Sequence, residues 1–222
     1  MDRRDPTPEH RPGVARTPGG CAVARRRLAR AGVLAATFLL AACGGSAGAG
    51  KSTATTATTP VVLGGTQDEA VGITVDGIRC ETQEQVLFHI HAHLAVFVAG
   101  APATVPEGIG IAPPRQVDQT TDGPFVSAGS CFYWLHSHTA DGIVHIESPI
   151  RRTFTLGNYF DVWNQPLSAA RVATATGPVT AFVNGRPFTG DPRTIPLGAH
   201  SVIQLDVGTN VAPVPYTFAQ GL

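Results

Sequence analysis

Alternating polar and apolar side chains mark residues 88–98 as a strand with two different faces. One face of this run is apolar and consists of Ile90, Ala92, Leu94, Val96 and Val98. The opposite face carries three histidines, which are His89, His91 and His93. A period of two is that of a strand, because successive side chains point to opposite sides. The pattern therefore predicts a strand that is buried on one face and presents imidazoles on the other.

A second stretch, residues 132–147, predicts a β-hairpin divided in the same way. Its two runs are rich in aromatic and β-branched residues, and Asp141-Gly142 between them is a favoured two-residue turn. One face of this hairpin would carry His136, His138, His145 and Glu147. With the two-residue turn, His138 faces His145 and His136 faces Glu147. A four-residue loop would instead pair His136 with His145 and keep all four side chains on the same face.

The remaining pattern predicts short strands separated by Pro and Gly, and one helix. The strand candidates are Val71–Val75, Val86–Val98, Ser130–His138, Ile143–Ser148, Val179–Val183 and Ser201–Val207. The helix is predicted over Leu156–Asn164, with Thr155 as its N-cap and with Phe160 and Trp163 on one face. Asn184-Gly185 predicts a further hairpin turn, and the similarity of residues 96–109 to 181–196 suggests a weak internal duplication. The expected fold is all-β, a sandwich or a flattened barrel with one short helix.

The N-terminal region has the pattern of an export signal. Arginines at 25–27 and 30 precede the apolar run 31–40, which has the length of a signal-peptide core and is too short to remain as a spanning helix. The run ends in Leu40-Ala41-Ala42-Cys43, which closely resembles the lipobox of bacterial lipoproteins. The resemblance implies cleavage before Cys43 and acylation of its sulfur, which would anchor the protein to the lipid bilayer at the extracytoplasmic face of the cell envelope. An ordinary secretory signal is the alternative.

These features predict three parts: a signal peptide over 1–42, a lipid-anchored flexible linker over 43–60 and a single β domain over 61–222. The linker is too poor in large apolar side chains to fold. Its segment Gly45 to Ser52 matches the P-loop pattern, but no strand pattern precedes it and no helix pattern follows it. A nucleotide is therefore not an expected partner.

Charge and cysteine content change once the signal peptide is set aside. Segment 1–42 holds eight of the 16 Lys and Arg residues and three of the 16 Asp and Glu residues, so the remainder has a net charge of −5. An acidic domain argues against nucleic acid as a partner and suits a protein that collects cations. Removal of Cys21 and acylation of Cys43 leave Cys80 and Cys131, which predict a disulfide in an oxidising compartment. A copper-ligating cysteine is the alternative.

The histidines carry the predicted chemistry. Six of the eight histidines lie in the two strand segments, in phase with one another and with a glutamate. The candidate metal ligands are His89, His91, His93, His136, His138, His145 and Glu147, with His200 as an extra ligand or an outer partner. Imidazole is the commonest protein metal ligand, and the only methionine is Met1. A set of imidazoles and a carboxylate without thioether suits a transition metal such as Zn²⁺ or Cu²⁺ rather than Cu⁺.

The domain also resembles a group of uncharacterised bacterial exported His-rich β proteins. The resemblance rests on the His-x-His-x-His strand, on Tyr-Trp-Leu-His-x-His from Tyr133, on Gly-Ile-Val-His-Ile-Glu-Ser-Pro from Gly142 and on the aromatic segment from Phe154 to Trp163. It covers most of residues 75–210 and implies a shared domain without an activity.

Three function classes remain open from the sequence. The first is a membrane-tethered metal-binding lipoprotein that sequesters or delivers an ion. The second is a metalloenzyme similar to cupins, although Glu147 follows His138 by more residues than the cupin pattern has. The third is a structural or interaction lipoprotein with a stabilising zinc.

Overall fold

The computed structural model describes residues 60–67 and 69–222, and these form a strand-rich domain. Strands make up 41% of the described residues and helices 6%, and the sheets are open rather than closed into a barrel. The predicted all-β class with one short helix is therefore confirmed, and of the two predicted arrangements the sandwich agrees with the open sheets whereas the barrel does not. The predicted signal peptide, Cys43 and the linker up to residue 59 lie outside the described residues.

The strands fall into one large sheet and three small ones. The large sheet contains β1 (Val61–Val62), β3 (Phe88–Val98), β4 (Ala101–Thr104), β8 (Leu135–His136), β9 (Ile143–Ser148), β13 (Val179–Val183), β14 (Arg186–Phe188) and β15 (Ser201–Val207). The small sheets are β2 (Cys80–Glu81) with β7 (Phe132–Tyr133), β5 (Gln116–Thr120) with β6 (Gly123–Ala128), and β10 (Leu167–Ser168) with β11 (Arg171–Val172) and β12 (Ala175–Thr176). The helices are α1 (Leu156–Val162) and a 3₁₀ turn over Pro192–Thr194.

Strand β3 is the centre of the large sheet. On one edge its first half pairs antiparallel with β9 and its last residues pair antiparallel with β4. On the other edge it pairs in parallel with β15, which in turn pairs antiparallel with β13. Its predicted apolar face is buried, with Ala92, Leu94 and Val96 each at most 2% exposed. Because side chains alternate, this burial directs the histidines to the opposite face.

One core lies against the apolar face of the large sheet. Helix α1 contributes Leu156, Tyr159, Phe160 and Val162, all fully buried, and Trp163 follows them at the C-cap. Thr155 is the N-cap, and its side-chain oxygen accepts a hydrogen bond from the backbone N–H of Asn158. The predicted helix and cap are thus confirmed, although the helix ends two residues earlier than predicted.

Two of the strand predictions were wrong. Residues 71–75 form no strand and contribute only an isolated bridge between Val75 and Ile78. Residues 130–138 form two short strands, β7 and β8, rather than one, because β7 pairs with β2 whereas β8 pairs with β9 in another sheet. The strands over 143–148, 179–183 and 201–207 have the predicted bounds.

The predicted two-residue turn at Asp141-Gly142 was also wrong. The pairing is that of the alternative, and residues 137–142 connect the two strands. His136 pairs with His145 and Leu135 with Ile146. Of the two turn residues only Gly142 has a positive φ, +85°. A side chain there would meet the backbone oxygen of Leu94 at 2.4 Å, so this glycine lets the loop approach β3. Asn184 and Gly185 do both have positive φ, as predicted, and join β13 to β14.

The predicted disulfide between Cys80 and Cys131 is present, with Cα atoms 5.4 Å apart. It connects the segment before β3 to the segment before β7 and β8. Within 60–67 and 69–222, no helix is both long and apolar enough to cross a membrane.

Replacing both Cys80 and Cys131 by Ala is expected to lower the free energy of unfolding by about 4 kcal/mol, because the bond restricts the unfolded chain across a sequence separation of 51 residues. Urea denaturation of the metal-free protein measures this loss. The cap variant Thr155→Ala loses the two hydrogen bonds between the Thr155 hydroxyl and Asn158, at a cost of about 1 kcal/mol, and serves as the comparison. A double cysteine variant no less stable than the cap variant would contradict the expectation.

Candidate metal centre

A row of three histidines crosses three neighbouring strands. His91 on β3 pairs with His145 on β9, and His145 pairs with His136 on β8. Directly paired residues of adjacent strands have their side chains on the same face and close together. The register of the sheet therefore gathers imidazoles that lie far apart in the sequence.

The next pair along β3 and β9 completes a group of four donor atoms. His89 faces Glu147 in the register, with 3.0 Å between His89 Nε2 and Glu147 Oε1. His91 Nε2 lies 3.0 Å from His89 Nε2 and 3.2 Å from His145 Nδ1. His145 Nδ1 lies 3.3 Å from Glu147 Oε1, which closes the ring of contacts. All four donor atoms lie within 4.8 Å of one another.

Hydrogen bonds cannot account for all four contacts of this ring. Each nitrogen of a neutral imidazole either donates one hydrogen or accepts, and never both. One N–H serves one contact, so at most two of the four contacts are hydrogen bonds whichever tautomers are chosen. A cation at the centre would satisfy all four donors together. These His and Glu side chains, of which only His89 is exposed, therefore form a group that could hold a metal ion.

His136 and His138 form a second pair beside the ring. The Nδ1–H of His136 donates to the carbonyl oxygen of Tyr133 at 2.9 Å, and the Nδ1–H of His138 donates to that of Val126 at 2.7 Å. Their Nε2 atoms lie 3.2 Å apart. Donor atoms of His136, His138 and His145 also lie within 4.8 Å of one another. This second group therefore adjoins the ring through His145.

Burial keeps the central imidazoles neutral, which is the form that binds metal. Burial, followed by the neighbouring His145 and His138, lowers the pKa of His136 to about 3. Burial, followed by His138, His91 and His89, lowers the pKa of His145 to about 3. The pKa of His91 is also lowered, first by burial and then by His89. The cluster therefore offers unprotonated nitrogens at neutral pH.

Two of the predicted ligands are engaged elsewhere. His93 stacks on Tyr216 with ring centroids 3.6 Å apart, and its Nε2 lies 3.1 Å from the carbonyl oxygen of Asp141. His200 stacks on Phe218, and its Nε2 lies 2.7 Å from the carbonyl oxygen of Leu222. The backbone N–H of His200 donates to the carbonyl oxygen of His91. Neither ring belongs to the candidate metal-binding groups of the described residues.

The structure adds one acidic residue that the sequence analysis missed. Glu84 Oε1 lies 3.4 Å from His138 Nε2 and 3.9 Å from His136 Nε2. Burial and the neighbouring Glu147 raise the pKa of Glu84. Glu84 lies in the loop between β2 and β3, outside any periodic pattern. The only signal in the sequence was its position between Cys80, which forms the disulfide, and His89, which belongs to the ring.

A hairpin that was also missed positions His138. The backbone N–H of Val126 on β6 donates to the carbonyl oxygen of His138, and the ring of Phe125 stacks on the imidazole with centroids 4.7 Å apart. From the core side, the Ser137 hydroxyl donates to the carbonyl oxygen of Ile143 and accepts from the Tyr159 hydroxyl, each at 2.7 Å. The loop between β8 and β9 is therefore held from both faces.

No protein-family model, curated protein or solved structure matches the chain. A functional assignment therefore rests on the side chains themselves.

The metal-free protein is expected to lose stability as the pH falls from about 6.5 towards about 3. His136 and His145 resist protonation in the folded chain down to a pKa of about 3, whereas the unfolded chain takes up protons near the ordinary value of 6.5. The unfolded state binds more protons in this window, so acid favours unfolding; above it these rings add no pH dependence. Thermal unfolding of chelator-treated protein across the window measures the effect.

The variant His145→Gln removes one of these two rings and is expected to flatten the pH dependence. His200→Gln, which changes an exposed ring outside the candidate groups, is the matched control. A wild-type melting temperature that stays constant from about pH 7 to pH 4 would contradict the expected linkage.

Proposed function

We propose that the protein is a metal-binding lipoprotein, tethered to the extracytoplasmic face of a bacterial membrane, that holds Zn²⁺ or Cu²⁺ for sequestration or delivery. The observation that carries the metal proposal is the ring of donor atoms from His89, His91, His145 and Glu147. The pairing of β3 with β9 brings these four side chains together, so the sheet fixes the spacing of their donor atoms.

Four of the six distances between the donor atoms are close to those around a tetrahedral ion. Donors about 2.0–2.1 Å from zinc at tetrahedral angles lie roughly 3.3–3.4 Å apart. The four contacts around the ring measure 3.0, 3.2, 3.3 and 3.0 Å. The two donor pairs across the ring lie within 4.8 Å of each other, so a tetrahedral ion would draw them together as it bound. Three imidazoles and a carboxylate, with both nearby cysteines in a disulfide, favour Zn²⁺ or Cu²⁺ over Cu⁺.

The number of donor atoms favours a site that stores or carries an ion over a catalytic site. Catalytic zinc keeps three protein ligands and leaves a fourth position for water or substrate, whereas a closed set of four protein ligands is typical of non-catalytic sites. The ring supplies four donors. A cupin-like enzyme is therefore the weaker of the two metal-dependent alternatives.

The accessibility of the ring suits exchange of the ion with a partner. The His89 side chain is 39% exposed, whereas that of Glu147 is 4% exposed. His91 and His145 lie between these extremes, towards the buried end. An ion would therefore enter and leave past His89, which is the ligand that an incoming chelator reaches first.

The location in the cell envelope is supported by the sequence. The lipobox-like Leu40-Ala41-Ala42-Cys43 follows a basic and apolar signal pattern, and the disulfide suits an oxidising compartment. Two or three acyl chains on Cys43 would hold the domain at the bilayer, since each buried CH₂ contributes about 0.8 kcal/mol.

The metal proposal is tested by titrating the chelator-treated protein with Zn²⁺ and with Cu²⁺ in competition with a chromogenic chelator. Wild type is expected to bind tightly, and His91→Gln to bind more than 100-fold less tightly, since even loss of an outer hydrogen-bond partner of a metal ligand costs roughly 10–100-fold. His93→Gln is the matched control, because this neighbouring imidazole on the same strand lies outside the ring. Equal affinities for all three proteins would contradict the proposal.

The fold of the chelator-treated protein distinguishes an ion that is carried from a zinc that is structural. The metal-free protein is expected to keep its fold, because its large apolar core and its disulfide do not depend on the ion. Far-ultraviolet circular dichroism of the chelator-treated protein measures this. A metal-free chain that unfolds would favour the structural alternative.

The membrane anchor is tested by Cys43→Ser, which removes the sulfur that would be acylated. The wild-type protein is expected in the membrane fraction of the producing cell, and the variant in a soluble exported fraction. Mass spectrometry of the mature N-terminus checks the modification directly. A wild-type protein whose Cys43 carries no acyl chain would overturn the anchor and leave the metal site untouched.

A further inference from the structure

We propose that the histidine cluster holds two metal ions side by side, at an outer and an inner position that adjoin at His145 and are connected by Glu147. The outer position is the ring of His89, His91, His145 and Glu147. The inner position is formed by His136, His138 and Glu84. This inference rests on the proposed function and concerns the capacity of the same site.

The hydrogen bonds of His136 and His138 give the first argument for the inner position. Each ring uses its Nδ1–H to bond a backbone carbonyl, that of Tyr133 or of Val126. In a neutral ring the other nitrogen, Nε2, then carries a lone pair and no proton. The two Nε2 atoms nevertheless face each other at 3.2 Å. Two lone pairs at that distance repel unless a cation lies between them.

The backbone bonds also suit metal ligation in themselves. Ligating imidazoles usually donate their second N–H to a carbonyl or carboxylate, which fixes the tautomer and orients the ring. His136 and His138 both have this arrangement. Neither carbonyl belongs to the outer ring, so the pair is oriented independently of it.

Glu84 adds a charged donor to the inner pair. Its Oε1 approaches both Nε2 atoms, at 3.4 Å from His138 and 3.9 Å from His136. Donor atoms of Glu84, His136 and Glu147 lie within 4.8 Å of one another. An ion at the inner position would therefore have two imidazoles and a carboxylate, with a second carboxylate adjacent.

Glu147 provides the connection between the two positions. Its Oε1 contacts His89 and His145 of the outer ring. Its Oε2 is buried and has no hydrogen-bond partner among the described residues. An unpartnered buried carboxylate oxygen is costly, and coordination of a second ion would satisfy it. Carboxylates that face two ions are a feature of two-metal sites, where the ions lie about 3.5–4 Å apart.

His145 lies between the two groups of imidazoles. Its ring centroid is 4.6 Å from that of His91 and 4.7 Å from that of His138, and both pairs are nearly perpendicular. The five histidines and two glutamates therefore form one continuous cluster. Four donors complete the outer position, which leaves His136, His138 and Glu84 for a second ion.

Counting bound ions tests the inference. The full-length exported protein, stripped with chelator and titrated with Zn²⁺, is expected to bind two ions per chain by calorimetry and elemental analysis. His138→Gln and His89→Gln are each expected to bind one, because each removes a ligand from a different position. His93→Gln, the control outside the cluster, is expected to keep two.

A second variant keeps the test valid if His138→Gln does not fold. Glu84 is 37% exposed, so Glu84→Gln changes the inner position without disturbing the core. It is expected to weaken the second ion at least 10-fold and to leave the first unchanged. Wild-type protein that binds a single ion overturns the two-ion inference and leaves the proposed function intact. Protein that binds none overturns both.

Electron paramagnetic resonance of Cu²⁺ decides whether two bound ions are neighbours. The first equivalent is expected to give the spectrum of an isolated ion, and the second to broaden it through magnetic coupling between adjacent ions. In Glu84→Gln this coupling is expected to appear only at a Cu²⁺ concentration at least 10-fold higher. Two ions without coupling would place the second outside the cluster and overturn the inference.

Discussion

The register between β3, β9 and β8 is the constraint on which the candidate metal centre depends. It places His91, His145 and His136 in one row and sets His89 opposite Glu147. A slip of one residue would send these side chains into the core and bring leucine and isoleucine to the surface. The apolar face of β3 prevents that slip, because Ala92, Leu94 and Val96 are buried. The hydrophobic core therefore determines the geometry of a polar site that it does not contain.

Packing elsewhere in the fold offsets the unfavourable free energy of burying the polar groups of the cluster. Burial disfavours charged imidazoles, and it disfavours Glu147, whose Oε2 has no hydrogen-bond partner in the described part of the chain. The metal-free arrangement is therefore held by its surroundings rather than by its own contacts. A rigid sheet, the disulfide at the loop bearing Glu84, and the hairpin β5–β6 against His138 provide this support. Donor atoms fixed in advance lose little conformational entropy when they bind an ion.

The sequence predicted the fold class, the helix with its cap, the disulfide and both imidazole faces, because each of these depends on local periodicity or on simple cysteine pairing. It did not predict which neighbours each imidazole would have. His93 shares the phase of His91 but stacks on Tyr216, a residue of the C-terminal segment with no strand pattern. Glu84 lies in a loop, and its approach to His138 follows from tertiary packing alone. The hairpin register was open between two loop lengths, and Gly142, which packs closely against Leu94 of β3, is part of a connection longer than either.

The parallel pairing of β15 with β3 has a consequence for the order in which the domain is completed. Strand β15, the last strand of the described residues, enters the middle of the large sheet, between β3 and β13, rather than adding to its edge. Until residues 201–207 are available, both neighbours have an unpaired edge, and such edges invite association with other chains. The large sheet can therefore close only once residues 201–207 have joined β3 and β13, so its two halves come together late in folding.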